Sequence, residues 1–133
     1  MRRDIENLDD VKLLVDEFYG KVRKNELLQP IFDGVIQDRW PEHLDKMYRF
    51  WQTILLEEHT YNGAPFPPHA LLPVDIEHFN TWLTLFYETL DEYFDGRNAE
   101  KAKGQGQRMA QIFYHKIDYL RNNPDSLFHE NYR

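Results

Sequence analysis

The residue whose type and setting most readily do chemistry is His69, which closes the stretch Tyr61-Asn62-Gly63-Ala64-Pro65-Phe66-Pro67-Pro68. With Pro73 beyond it, the segment holds four prolines and cannot form one continuous helix. Each proline also biases its predecessor toward extended geometry, so the loop is stiff. It presents one imidazole behind Phe66 and ahead of Leu71 and Leu72. Such a histidine is a candidate metal or cofactor ligand; the competing reading is a surface linker that contains a histidine. A second candidate is His43, which falls four residues before Met47 and seven before Phe50, so the three share a helix face. A satisfied histidine at the core boundary would look the same. Tyr19, one helical step past Phe18, and Trp82, flanked by Phe79 and Phe86, add polar tips to largely apolar faces.

Much other chemistry is excluded. The chain has no cysteine, which removes disulfides, iron–sulfur ligation, thiolate-bound haem and thioether attachment of haem. Phosphate-loop, dinucleotide, nucleophile-elbow and H-E-x-x-H motifs are absent. None of the six histidines has Glu three positions earlier, as a di-iron bundle needs, and Asp75 before His78 reads better as part of a capping box. His59, His69 and His78 lack a characteristic zinc spacing. What fits one strong ligand, few polar tips and an aromatic content of 15% is a flat cofactor in an apolar slot. Haem has these needs, because the porphyrin already gives iron four nitrogens and a single neutral imidazole fixes the metal.

The positioning elements are helices. Val11, Leu14, Val15, Phe18 and Val22 recur at spacings of three and four, predicting a helix from about Asp9 to Arg23. A shorter one is expected over Leu27 to Val35, with Pro30 near its start and Asp33-Gly34 as its end or a turn. A third opens at Trp40-Pro41 and runs to about Glu58 on Leu44, Met47, Trp51, Ile54 and Leu55. Asp75 is the expected N-cap of a fourth, reaching Phe94 along Ile76, Phe79, Leu83, Phe86 and Leu90. The fifth spans about Asn98 to Arg121, with Ala102, Met109, Ile112, Phe113, Ile117 and Leu120 inward. Gly104 and Gly106 weaken it by about 1 kcal/mol each unless they serve a close helix crossing. No window alternates like a strand. The reading is an all-α single domain, 1–133, with a flexible polar tail at 122–133 in which Leu127 and Phe128 can dock. A net charge of −7 disfavours nucleic acid and anionic membrane as partners. With no signal peptide and no spanning apolar run, a cytoplasmic location is expected.

Several of these segments, in register over about Leu14 to Ile117, resemble the group III truncated haemoglobins. They are Phe18-Tyr19-Gly20-Lys21-Val22, Leu28-Gln29-Pro30-Ile31-Phe32, Trp40-Pro41-Glu42-His43-Leu44 and Phe50-Trp51. The series continues through Tyr61-Asn62-Gly63-Ala64-Pro65-Phe66, His69, Leu72-Pro73, His78-Phe79 and Trp82-Leu83-Thr84-Leu85-Phe86. The lack of any Gly-Gly pair agrees with that group. The resemblance implies a truncated globin fold, a two-over-two helical sandwich around haem b (iron protoporphyrin IX), in which a loop replaces the proximal helix. It makes His69 the proximal ligand and puts Tyr19, His43 and Trp82 in the distal pocket. Phe18, Phe32, Met47, Phe50 and Trp51 become pocket walls or their backing, and Lys46 or Arg49 meets a propionate. The glycines at 104 and 106 depart from the family's usual stronger helix formers.

The implied function is binding of O2, CO, NO or another diatomic ligand at an iron able to become six-coordinate. Donors around a partly charged ligand contribute roughly 1.5–3 kcal/mol each, so two of them slow release by orders of magnitude. High affinity with slow O2 release is the primary reading. The alternative is a haem enzyme with peroxidase-like or nitric oxide dioxygenase activity, supplied by an external reductase or electron donor. A haem-free helical interaction module is the remaining possibility.

Overall fold

The structure is a computed structural model and describes residues 2–70 and 72–123. Among the described residues five α-helices follow one another: α1 Leu8–Val22, α2 Gln29–Ile36, α3 Trp40–Leu56, α4 Ile76–Tyr93 and α5 Arg97–Asn122, with a 3-10 turn at Pro67–His69 before α4. Among the described residues the sole β feature is an isolated bridge between Arg3 and Phe94. α1 packs on α3 and α4 on α5, and the two pairs are joined by α1 against α4 and α3 against α5. This is the expected all-α, two-over-two arrangement. The part of the expected tail from Pro124 onward, with Leu127 and Phe128, lies outside the described residues, as does Leu71 in the histidine loop; Asn122 is the last residue of α5.

Helix starts follow local chemistry. The Asn7 side chain accepts the Asp10 amide at 3.0 Å and opens α1. Asp75 is the N-cap of α4, and its own amide donates to His78 Nδ1 at 2.9 Å, which accounts for that Asp–His pair without a metal. α5 is capped from far away in sequence: Asp4 takes the Asn98 amide at 2.9 Å and the Ala99 amide at 3.0 Å. Gly96, at φ 143°, lets the chain enter α5 beside Asp4, whose Cγ would lie 2.6 Å from any Cβ placed there.

Some expectations are corrected. Asp33-Gly34 does not end α2, which runs on to Ile36 and stops at Gln37, a residue at φ 57°. Asp33 is instead a side-chain hub, accepting from Gln29 Nε2 at 2.6 Å and from the Trp40 indole at 3.0 Å. Leu27 lies ahead of α2 and is exposed. Ile76 and Ile112 are exposed rather than inward, because each sits off the rail its helix turns to the core. The buried residues of α4 are Phe86, Thr89 and Leu90, while Trp82 and Leu83 are both half-buried.

The glycine pair divides in role. A Cβ on Gly106 would stand 3.1 Å from the Phe86 ring and 3.4 Å from Trp82, so this residue permits the close approach of α5 to α4. At Gly104 the nearest group is the flexible end of Arg108, at 3.3 Å. α5 is nonetheless continuous through both. Phe86 itself is stacked between Trp51 and Trp82, at centroid distances of 5.0 and 5.1 Å, and Phe18 meets its edge at 5.1 Å. We expect Gly104→Ala to stabilise the protein by about 0.5–1 kcal/mol through helix propensity. Gly106→Val should cost about 1–3 kcal/mol through overpacking. Urea titration of both variants checks the pair, and equal effects would remove the packing role from Gly106.

Candidate functional site

One cavity of about 410 Å³ opens between the helices and the proline loop, within the range of small-molecule and cofactor sites. α1 contributes Tyr19; α2 contributes Ile31, Phe32, Val35 and Ile36; α3 contributes His43, Lys46, Met47, Phe50 and Trp51. The loop brings His69 between Pro65, Pro68 and Leu72, and α4 and α5 close the site with Phe79, Trp82, Met109, Ala110, Phe113 and Ile117. The walls are mainly hydrocarbon and aromatic. Charged side chains, Arg39, Glu42 and Lys46, come from the end of the α2–α3 turn and the outer part of α3.

His69 is held in a defined state. Its Nδ1 lies 2.5 Å from the Pro65 carbonyl oxygen. A carbonyl only accepts, so Nδ1 carries the proton and Nε2 keeps its lone pair. Burial pushes the imidazole pKa down, partly opposed by this hydrogen bond. The ring is backed by Phe113, centroid to centroid 4.9 Å. A neutral, oriented imidazole with a free Nε2 is the form that ligates a metal.

On α3, the His43 ring is held edge-on by Tyr19 at 5.3 Å and Trp40 at 5.7 Å. Its Nε2 is buried and has no hydrogen-bond partner among the described residues. Burial lowers its pKa to about 4, and the neighbourhood of His69 and the Lys46 ammonium push the same way. Tyr19 is buried, and burial alone raises the pKa of its phenol, which therefore stays protonated. Trp82 meets the site from α4 and Phe18 supports both side chains from behind, 5.0 Å from the Tyr19 ring and 5.2 Å from the indole. An orphaned buried nitrogen, a protonated phenol and a second imidazole with a free lone pair, all lining one apolar slot, fit a flat group carrying a metal. They do not fit a metal held by protein alone. No cluster of three potential ligands among His, Cys, Asp and Glu exists among the described residues.

Of the sequence candidates, Tyr19, Phe32, His43, Lys46, Met47, Phe50, Trp51, His69 and Trp82 line the cavity, and Phe18 backs it. Arg49 does not line it and pairs with Asp45 at 3.1 Å, whereas Lys46 does line it. The lining residues that sequence reasoning did not single out for the site include Ile31, Val35, Ile36, Arg39 and Val74. The apolar spacing of α2 was the available signal for the first three; Arg39 gave none, because its guanidinium also caps the Val35 carbonyl at 2.6 Å.

With this geometry the chain can be set beside known proteins. The bacterial-like globin family matches residues 5–119. The group 3 truncated hemoglobin of Campylobacter jejuni is 34% identical over 121 residues, covering 88% of this chain and 95% of that protein. The crystal structure of group III truncated hemoglobin from the same organism superposes with a TM-score of 0.80 at 34% identity, over 88% of this chain and 95% of that one. The chain belongs to the bacterial-like globins and, within them, is a truncated haemoglobin of the third group. As a globin it binds haem and, through it, small diatomic ligands. No helix among the described residues is long and apolar enough to cross a membrane.

The orphaned nitrogen has an energetic consequence. A buried polar atom without a partner costs about 1–3 kcal/mol, and an apolar side chain of similar reach relieves it. We expect His43→Leu to raise stability by about 1 kcal/mol in urea unfolding followed by circular dichroism. A destabilised variant would show that the nitrogen is satisfied in solution.

Proposed function

We propose that the protein holds haem b through His69 and retains O2 tightly with the side chains of Tyr19, His43 and Trp82. A chain without cysteine offers no thioether linkage, which supports the b form over a thioether-linked one. His69 would hold the haem, which would supply an iron able to bind a small diatomic molecule. The chain's own contribution is to orient, donate and exclude water. His69 is pre-set by the Pro65 carbonyl, so little ordering remains when its lone pair is used. Lys46, which lines the cavity together with Arg39, supplies a cation for a propionate.

The observation that carries the reading is the unpartnered Nε2 of His43, buried in a cavity that it shares with Tyr19 and His69. A buried nitrogen left without a protein partner is costly, and a polar ligand in the slot satisfies it. The Tyr19 phenol supports the same conclusion, because it is protonated at neutral pH, more firmly so for being buried, and a hydroxyl is a donor toward negative charge. Charge-assisted hydrogen bonds contribute about 1.5–3 kcal/mol each, and 1.4 kcal/mol is tenfold in release rate. Ligand retention by fixed donors suits storage, sensing or slow redox use better than rapid delivery.

Two measurements test this. His69→Ala should purify with little haem, judged by the Soret absorbance per chain; full occupancy with an unchanged ferrous spectrum would overturn the ligand assignment. Tyr19→Phe should release O2 about tenfold faster or more in stopped-flow displacement by CO. An unchanged rate would mean that the phenol does not donate to the bound ligand.

A further inference from the structure

One face of α5 is given over to the loop that carries His69. Phe113, Lys116, Ile117, Leu120 and Arg121 follow the spacing of three and four that places side chains on a single helix face. Phe113 lies against the rings of His69 and Phe66, at 4.9 and 5.4 Å, and the Lys116 ammonium sits 4.9 Å over Phe66. Ile117 and Leu120 are buried with Phe66, Ala70 and Val74 in a core of their own, separate from the main one. Arg121 finishes the series with hydrogen bonds. Its Nη2 donates to the carbonyls of Leu72 at 2.9 Å and Val74 at 2.6 Å, and its Nη1 to Asp75 Oδ1 at 3.1 Å.

These bonds reach the segment just past His69. On the upstream side the loop holds itself: the His69 amide donates to Phe66 O at 2.7 Å and its ring to Pro65 O. On the downstream side the Leu72 amide donates to His69 O at 3.1 Å, so the Leu72 peptide is coupled directly to the histidine backbone. Pro73 has no amide to donate, and the loop lacks the ladder that a helix would supply there. A charged fork that binds two carbonyls of such a segment fixes its distance from α5. The ion pair with Asp75 adds little by itself, because that carboxylate is largely exposed.

We infer that Arg121 is a positioning residue for His69: by tying the downstream limb of the proline loop to α5, it sets how the imidazole stands against the iron. The inference rests on His69 being the metal ligand. Without Arg121 the limb is released, the imidazole tilts away, and the bond that holds haem to the chain weakens.

The test compares haem-loaded wild type with Arg121→Gln, Arg121→Lys and, as a control on the same helix, Arg108→Gln, whose arginine bonds only Gln105 among the described side chains. Resonance Raman of the ferrous, unligated proteins reads the iron–histidine stretching band, and transfer to excess apomyoglobin reads haem loss. The Gln variant is expected to shift or broaden the band and lose haem about tenfold faster. Lys, which keeps the charge without the fork, falls between Gln and wild type, and Arg108→Gln matches wild type. A band with wild-type position and width in both Arg121 variants overturns the inference, even where haem loss quickens, since that combination means general loosening of the fold. Should the Gln variant not fold, the Lys variant decides alone by the same band. Persistence of the band in His69→Ala would instead remove the ligand assignment beneath the inference, so the two failures are distinguishable.

Discussion

The fold has to keep an apolar slot open against the tendency of apolar surfaces to close on one another. Apolar walls gain dispersion contacts and burial by closing on one another, so walls that shape a site for a flat group have to be stiff. The walls are stiffened on both sides. On one side Phe86 is stacked between Trp51 and Trp82, with Phe18 at its edge and Gly106 lying close beneath it. On the other, Phe66, Ala70 and Val74 of the proline loop form a small core with Ile117 and Leu120. The slot lies where these two cores fail to merge.

That separation also decides the state of the polar groups within it. Burial opposes charge on His43, His69 and Tyr19 alike, so the interior presents neutral donors and acceptors instead of ions. Arg39, Glu42 and Lys46 are exposed and meet the cavity only along its edge. Such an interior favours a ligand that is mostly apolar with a localised, partly charged tip, and it leaves full charges outside with the solvent.

Much of this was legible from residue order. The five helices follow from apolar spacing, and boundaries fell within two or three residues because Asp75, Pro30 and the Trp40-Pro41 start are local signals. The resemblance named the side chains that line the slot because its motifs keep their types and order. What was illegible depends on contacts between distant residues. Asp33 looked like a turn former, and its bonds to Gln29 and Trp40 exist only once α2 and α3 meet. Ile76 and Ile112 looked inward because periodicity gives a stripe without saying where its edge meets solvent. Ile5 is fully buried although it precedes every helical pattern, since a chain end can dock with no periodicity of its own.

The cap that Asp4 provides to α5 bears on the order in which the molecule is assembled. Apart from the amide of its neighbour Ile5, the Asp4 carboxylate finds its partners at Asn98 and Ala99, so this cap forms only when segments far apart in sequence meet. Closing so long a loop costs entropy that is recovered only when the end of α4 and the start of α5 are already in place. On a chain made from its N-terminus, the opening residues therefore lock late. Because α5 also packs on the histidine loop through Ile117 and Leu120, one helix joins the docked opening segment to the wall of the slot.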